Sequence, residues 1–149
     1  MAVKTGIHWI KPPADLEKAL QQYGVRAKVF VHALGAHFGG LMQNDARDNV
    51  PWEDRSGNAR GGIFFAVDGL GLAGKEGETK PAQAAAFRRD AREDTGPGGN
   101  ARTLVVVLGH TMFYGEFLEL AHGEKYAILW PTMQAYIPKI EKALRDLFK

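Results

Sequence analysis

Residues 49 to 67 read NVPWEDRSGNARGGIFFAV, a polar loop that runs directly into an apolar segment. The loop, Asn49 to Gly62, combines a Pro-Trp pair, dense mixed charge and a Ser-Gly-Asn turn sequence. The segment at 62 to 67 is apolar on both faces and is followed by Asp68-Gly69, which is typical of a covered strand. Surface loops of this composition commonly carry binding residues. The stretch therefore predicts a core strand that begins directly after a loop with a contact function.

A long helix is predicted before this loop, from about Asp15 to about Asp45. Its apolar residues recur at steps of three and four, which predicts one stripe facing the core. A bend is expected near Gly39-Gly40; alternatively, Gly35 and Gly39 allow a close helix neighbour. A helix of roughly 45 Å on so small a domain requires a partner, either the sheet along its full length or another subunit. The stripe consists of Leu16, Leu20, Tyr23, Ala27, Phe30, Leu34, Phe38 and Leu41.

The remaining elements are predicted from shorter patterns. Residues 104 to 108, LVVVL, are apolar and rich in β-branched valine, which indicates a second covered strand. The intervening segment, about 69–100, has glycine-rich ends and an alanine-rich middle with helix propensity. We interpret it either as an insertion that becomes ordered on contact or as a mobile surface loop. Residues 113 to 121 favour a short helix or turn. A final helix ends the chain, with a kink or restart expected at Pro138.

These elements predict a single α+β domain over residues 1–149. Its small, mostly antiparallel sheet is packed by a long N-terminal helix and a C-terminal helix, with a long inserted loop. Residues 3 to 10 alternate between apolar and polar, with Trp9 on the apolar face, which indicates a strand or an arm that becomes half-buried on a neighbour.

Composition excludes several classes of protein. The 149 residues include no cysteine, so disulfides, thiolate metal sites and cysteine nucleophiles are ruled out. The net charge of +2 is far weaker than that of a dedicated nucleic-acid binder. The first residues lack the apolar core of a secretory signal, and no apolar run reaches membrane-spanning length.

No pattern in the chain specifies catalysis. His110, Glu116 and His122 could be drawn together as an acid-base or metal cluster, but their spacing is not that of a metal site. Glu119 and His122 form a single Glu-x-x-His pair, whereas di-iron bundles use two. Gly69-x-Gly71-x-x-Gly74 has the dinucleotide-binding spacing, but no helix opening follows it. We therefore expect no catalytic residue, metal or cofactor.

The opening stretch resembles a motif of the tail-completion and head–tail joining proteins of long-tailed phages, a group that includes minor tail and minor capsid proteins. The resemblance continues in the second half, where Tyr114, Leu118, Glu119 and Pro131 fit the family pattern, although the glycine expected after the glutamate is displaced to Gly123. The order of long helix, motif, sheet and C-terminal helix also agrees. Within the opening stretch the matching residues are Pro51, Asp54, Ser56, Gly57, Ala59 and Arg60, followed by the strand at 63 to 67.

The resemblance implies a structural virion protein without enzymatic activity. Such proteins form rings, commonly hexamers, at the head-proximal end of the tail, where DNA passes through the lumen without sequence-specific contact. The implied partners are further copies of the chain and neighbouring neck, connector, tail-terminator or tail-tube proteins. The implied location is the tail or neck of the virion, after assembly in the host cytoplasm.

Protein interfaces favour aromatic and arginine anchors, which gives a set of interface candidates. Trp52, Arg55 and Arg60 are expected to point outward for a neighbour; alternatively, Trp52 packs on its own long helix and Arg60 pairs with Asp54. Two further functions stay open: a nucleic-acid-binding module using a basic cluster and the C-terminal lysines, and a small metal-dependent hydrolase using His110, Glu116 and His122. The full set of interface candidates is Trp52, Asp54, Arg55, Arg60, Arg88, Arg89, Arg92 and Trp9.

Overall fold

A three-stranded antiparallel sheet and two long helices define the fold. The structure is a computed structural model that describes residues 13–80, 82–91 and 98–149. It confirms the predicted α+β class. In chain order the elements are α1 (Pro13–Asp48), α2 (Asn58–Gly61), β1 (Ile63–Gly69), β2 (Leu72–Glu76), α3 (Ala84–Asp90), β3 (Leu104–His110), α4 (Gly115–Leu120), a short 3-10 turn (Ala121–Glu124) and α5 (Leu129–Leu147).

The sheet has the order β2-β1-β3, so the predicted strand after the loop is its centre. β1 pairs with β3 along its whole length, from Ile63 opposite His110 to Gly69 opposite Leu104. This register places the apolar residues of the two predicted strands side by side. Residues on both faces of β1, such as Ile63 and Ala66, are buried, in agreement with its apolar sequence.

Strand β2 was not predicted, because its five residues are mostly exposed and lack apolar alternation. It forms a hairpin with β1 through the two-residue turn Leu70-Gly71, in which both residues have positive φ, 59° and 70°. Backbones of this kind match the twist of antiparallel strands. The glycine spacing at 69 to 74 therefore forms a hairpin and does not open a helix that would hold a phosphate.

The long helix α1 has 36 residues, but only its C-terminal half packs on the domain. Residues 14 to 26 are all exposed, and the buried positions begin at His32. The prediction of one stripe facing the core along the whole helix is therefore wrong. A seven-residue strand spans roughly 23 Å and α1 roughly 54 Å, so the sheet is too small to cover it.

The glycines of α1 admit the sheet at close range. A Cβ added at Gly39 would lie 2.5 Å from Cδ2 of Phe65, and one at Gly35 would lie 2.8 Å from Cδ2 of Leu104. The element that approaches Gly35 and Gly39 is therefore the sheet, and the alternative of a close helix neighbour is wrong. The helix α1 continues through Gly39 and Gly40.

The core lies where the second half of α1, the sheet and α5 meet. α5 is a single helix that continues through Pro138, so the expected restart does not occur. Among the described residues no helix has both the length and the apolar character needed to cross a membrane. The predicted strand at 3 to 10, with Trp9, lies outside the described residues. The buried core residues are Met42, Ala46, Ile63, Leu108, Ile128 and Tyr136.

Replacing Gly39 by Ala tests the close approach of α1 to β1. The new Cβ would collide with the Phe65 ring, and we expect a loss of about 1–3 kcal/mol in the free energy of unfolding. The matched control is Gly24→Ala, where nothing lies within 4 Å and helix propensity gives a gain of up to about 1 kcal/mol. Urea denaturation of both variants measures the difference. Equal effects of the two substitutions would contradict this packing.

Candidate functional site

The loop from Asn49 to Gly62 is a defined turn that is organised by Asp54. The two carboxylate oxygens of Asp54 accept hydrogen bonds from the backbone N–H of Gly57 at 2.9 Å and of Arg60 at 2.8 Å. Ser56 Oγ accepts a further bond from the N–H of Asn58 at 3.2 Å. Gly57 adopts φ 74°, a left-handed conformation that glycine adopts without strain. Asp54, Ser56 and Gly57, which belong to the sequence motif, therefore determine the conformation of the loop.

Asn58 ties the loop to the inserted segment. Its side chain is 1% exposed; Nδ2 donates to the Gln83 carbonyl at 3.1 Å, and Oδ1 accepts from the Gln83 N–H at 2.9 Å. The far end of the insert is also held, because Gly99 N–H donates to the Asp68 carboxylate at 3.0 Å. The described ends of the insert are therefore anchored on the chain's own domain without a partner.

Trp52 packs against the hydrophobic core, and the expectation that it points outward is wrong. Its ring lies 5.9 Å from the ring of His110, and its Nε1 is buried without a hydrogen-bond partner among the described residues. The apolar area of an indole outweighs one unmade hydrogen bond, so the ring is retained inside. Trp52 therefore stabilises the loop from within.

The charged candidates are distributed differently. Arg55 and Arg60 are exposed, and only the backbone of Arg60 bonds Asp54, so the alternative of an Arg60–Asp54 ion pair is not observed. Arg88 and Arg89 are exposed on α3 and lie far from the loop arginines in the sequence. A role for these arginines in contact with a neighbour stays a prediction. Arg92 and Trp9 lie outside the described residues.

A polar pair that was not predicted from the sequence, Arg47 and Gln43, joins α1 to the end of the loop and the start of β1. Arg47 is 8% exposed and donates from Nε and Nη2 to the Ile63 carbonyl and from Nη2 to the carbonyls of Gly61 and Glu78. Gln43, one helical turn earlier, donates to the carbonyls of Ile63 and Glu78 at 3.0 and 3.1 Å. The sequence contained one indication of this inward role: Gln43 and Arg47 are four residues apart on the helix and directly follow the inward-facing Met42 and Ala46.

A second polar centre joins His110 and Glu119. His110 Nε2 lies 3.1 Å from Glu119 Oε1, and both side chains are shielded from solvent. The Glu119 carboxylate also accepts the backbone N–H groups of Ile128 and Leu129 at the start of α5. Burial alone would raise the pKa of Glu119, but the bond from His110 and the two backbone bonds together hold this pKa below its ordinary value. Glu119 therefore acts as a cap of α5.

The structure does not bring His110, Glu116 and His122 together as a cluster. His110 pairs with Glu119, Glu116 is exposed, and His122 is an exposed residue with φ 58° whose ring contacts Tyr126. In the part of the chain that the structure describes, no group of three or more His, Asp or Glu side chains could hold a metal ion. The expected hydrolase geometry is therefore not formed by these residues.

Comparisons with known proteins found no matching family model, no matching curated protein and no matching solved structure.

Replacing Trp52 by Ala tests its assignment to the core. We expect a loss of about 2–4 kcal/mol in the free energy of unfolding, because the half-buried indole contacts the core cluster. The matched control is Trp130→Ala on α5, where the ring is 54% exposed and the expected loss stays below about 1 kcal/mol. Chemical denaturation followed by circular dichroism compares the two. Equal losses would place Trp52 at the surface.

Replacing Glu119 by Gln tests the cap. At pH 7 we expect a loss of about 1–2 kcal/mol, because the charge-assisted bonds to α5 and His110 weaken. The pKa of Glu119 is lower in the folded than in the unfolded state, so its contribution is complete above the ordinary value of 4.5 and is lost as the pH falls further. The difference between wild type and variant should therefore shrink from pH 6 to pH 3 in urea denaturation. The exposed Glu116→Gln is the control, and a pH-independent difference would refute the cap.

Proposed function

We propose that the chain is a structural virion protein, a ring-forming subunit at the head-proximal end of a phage tail. Its role is tail completion or head–tail connection, and the ring lumen lets DNA pass. Its partners are copies of itself, with a hexamer as the expected stoichiometry, and neighbouring neck and tail proteins. The proposal has two supports: the resemblance of the 49–67 stretch, and the exposed half of α1.

The exposed half of α1 is the observation that carries the proposal. Over about 18 residues the helix leaves the core, yet it keeps large apolar side chains at the surface. An isolated helix of this length is marginal in water, and helices in proteins gain their stability mainly by packing an apolar face. Leu16, Leu20, Tyr23 and Phe30 form one exposed apolar face, and Val25 and Val29 lie on the opposite side of the helix; each of the six is between 47% and 63% exposed.

A second copy of the chain is the occupant we propose for this face. The other sides of this part of the helix carry charges of both signs, Asp15 and Glu17 against Lys18, Arg26 and Lys28, so the projecting helix suits a protein surface better than a uniformly negative duplex. A helix that reaches beyond its own domain contacts a different surface on the next copy. Contacts of this heterologous type close into rings when their rotation permits.

Oligomeric mass tests the proposal. Size-exclusion chromatography with light scattering should show the wild-type mass rising with concentration from 16.3 kDa to a closed multiple, with rings visible by negative-stain microscopy. Leu20→Glu with Phe30→Glu places two charges on the exposed apolar face. This variant should keep the fold by circular dichroism and shift the assembly midpoint to a concentration at least about 100-fold higher.

The matched control adds the same two charges at polar positions of the same helix, Gln21→Glu with Gln22→Glu, and should assemble as wild type does. Wild-type protein that stays at 16.3 kDa over the whole concentration range contradicts the ring proposal. Assembly of the Leu20/Phe30 variant at the wild-type midpoint would remove α1 from the interface.

A further inference from the structure

A surface hollow of about 420 Å³ lies beside the loop and collects positive charge. Three cationic residues line it, Arg47, Arg60 and Lys80, against one carboxylate, Asp48. They come from three separate parts of the chain: α1, α2 and the segment after β2. Because the fold brings together charges that the sequence separates, the tertiary structure creates this site.

Arg47 is a buried cation without a counter-ion. All four of its hydrogen bonds go to backbone carbonyls, at 2.6 to 3.2 Å, and no carboxylate of the described residues forms an ion pair with it. Carbonyl oxygens satisfy N–H groups but do not neutralise a charge. Desolvation by burial accordingly lowers the pKa of Arg47. Buried charges in proteins are normally paired, so this cation lacks the partner expected for it.

One nitrogen of the Arg47 guanidinium, Nη1, is available to a ligand. Nε and Nη2 are committed to the carbonyls of Gly61, Ile63 and Glu78, whereas Nη1 makes no hydrogen bond to a residue that the structure describes. Arg47 lines the hollow, and the exposed side chains of Arg60 and Lys80 line it as well. Carboxylate and phosphate oxygens are the acceptors that guanidinium and ammonium groups bind most strongly.

We propose that this hollow is a binding site for an oxyanion, a carboxylate or a phosphate group. Arg47 supplies a fixed, partly desolvated cation at its floor, and Arg60 and Lys80 supply adjustable cations at its rim. The bound anion neutralises the buried charge and links α1 to the loop and to the segment after β2. The site is independent of the proposed ring, since its charges all belong to one chain.

Inorganic phosphate is the probe. Thermal unfolding of the full chain is measured over a phosphate titration at constant ionic strength, adjusted with sodium chloride so that general screening does not change. We expect the Tm to rise by about 3–6 °C at a phosphate concentration ten times the Kd. Acetate in place of phosphate tests whether a carboxylate is accepted, and a smaller rise with acetate assigns the site to phosphate groups.

The test variant is Arg60→Gln with Lys80→Gln, which removes the rim charges and leaves the hydrogen bonds of Arg47 intact. Its phosphate Kd should be at least about tenfold weaker. The matched control is Lys75→Gln with Arg102→Gln, which removes the same net charge from exposed positions outside the hollow and should keep the wild-type response. An equal Tm rise in all three proteins, or no rise in the wild type, overturns the site.

Light scattering with and without saturating phosphate separates the two sources of the anion. If an acidic side chain of a neighbouring copy normally fills the hollow, phosphate competes with it and the assembled fraction of wild-type protein falls. If the natural ligand is a free oxyanion, assembly is unchanged while the Tm still rises. Either result keeps the oxyanion site and identifies its occupant. A Tm rise that occurs with duplex DNA and not with phosphate would overturn the site in favour of a nucleic-acid surface.

Discussion

The hydrogen bonds from Arg47 and Gln43 to the Ile63 carbonyl are the constraint on which the rest of the structure depends. They join the end of α1 to the first residue of the central strand and, through the Glu78 carbonyl, to the segment after β2. Without them these carbonyls would be buried beside an apolar core with fewer partners, which is costly. These hydrogen bonds therefore fix the polar loop between α1 and β1, although the loop contributes few residues to the core.

Two smaller polar centres extend this arrangement. Asp54 closes the loop on its own backbone, and Asn58 holds the insert against it. At the same end of the sheet, where Ile63 pairs with His110, Glu119 caps α5 while it pairs with His110 on β3. In each case one side chain satisfies two backbone groups of another part of the chain, so side-chain hydrogen bonds fix the backbone there. The domain is thus complete without the first half of α1.

That independence gives the proposed function its physical basis. The first half of α1 extends beyond the packed domain and exposes apolar residues, so these residues can be buried only against another molecule. In the proposed function, this projection joins copies of the chain into a ring. The cationic hollow beside the loop is a separate feature, in which Arg47 is held buried without a neutralising partner among the described residues.

The sequence by itself determined the α+β class, the long first helix, both covered strands and the last helix, since these depend on local periodicity. It also indicated that so long a helix needs a partner. Only the tertiary structure decided that the chain's own domain leaves the first half of α1 uncovered, that Trp52 is internal, and that residues 72–76 form a strand. The hydrogen-bond partners of Arg47 and the pairing of His110 with Glu119 were likewise decided by the tertiary structure, because these partners lie on different elements of the fold. Periodicity reports which face of an element is apolar, whereas the extent of the sheet decides how much of that face is covered.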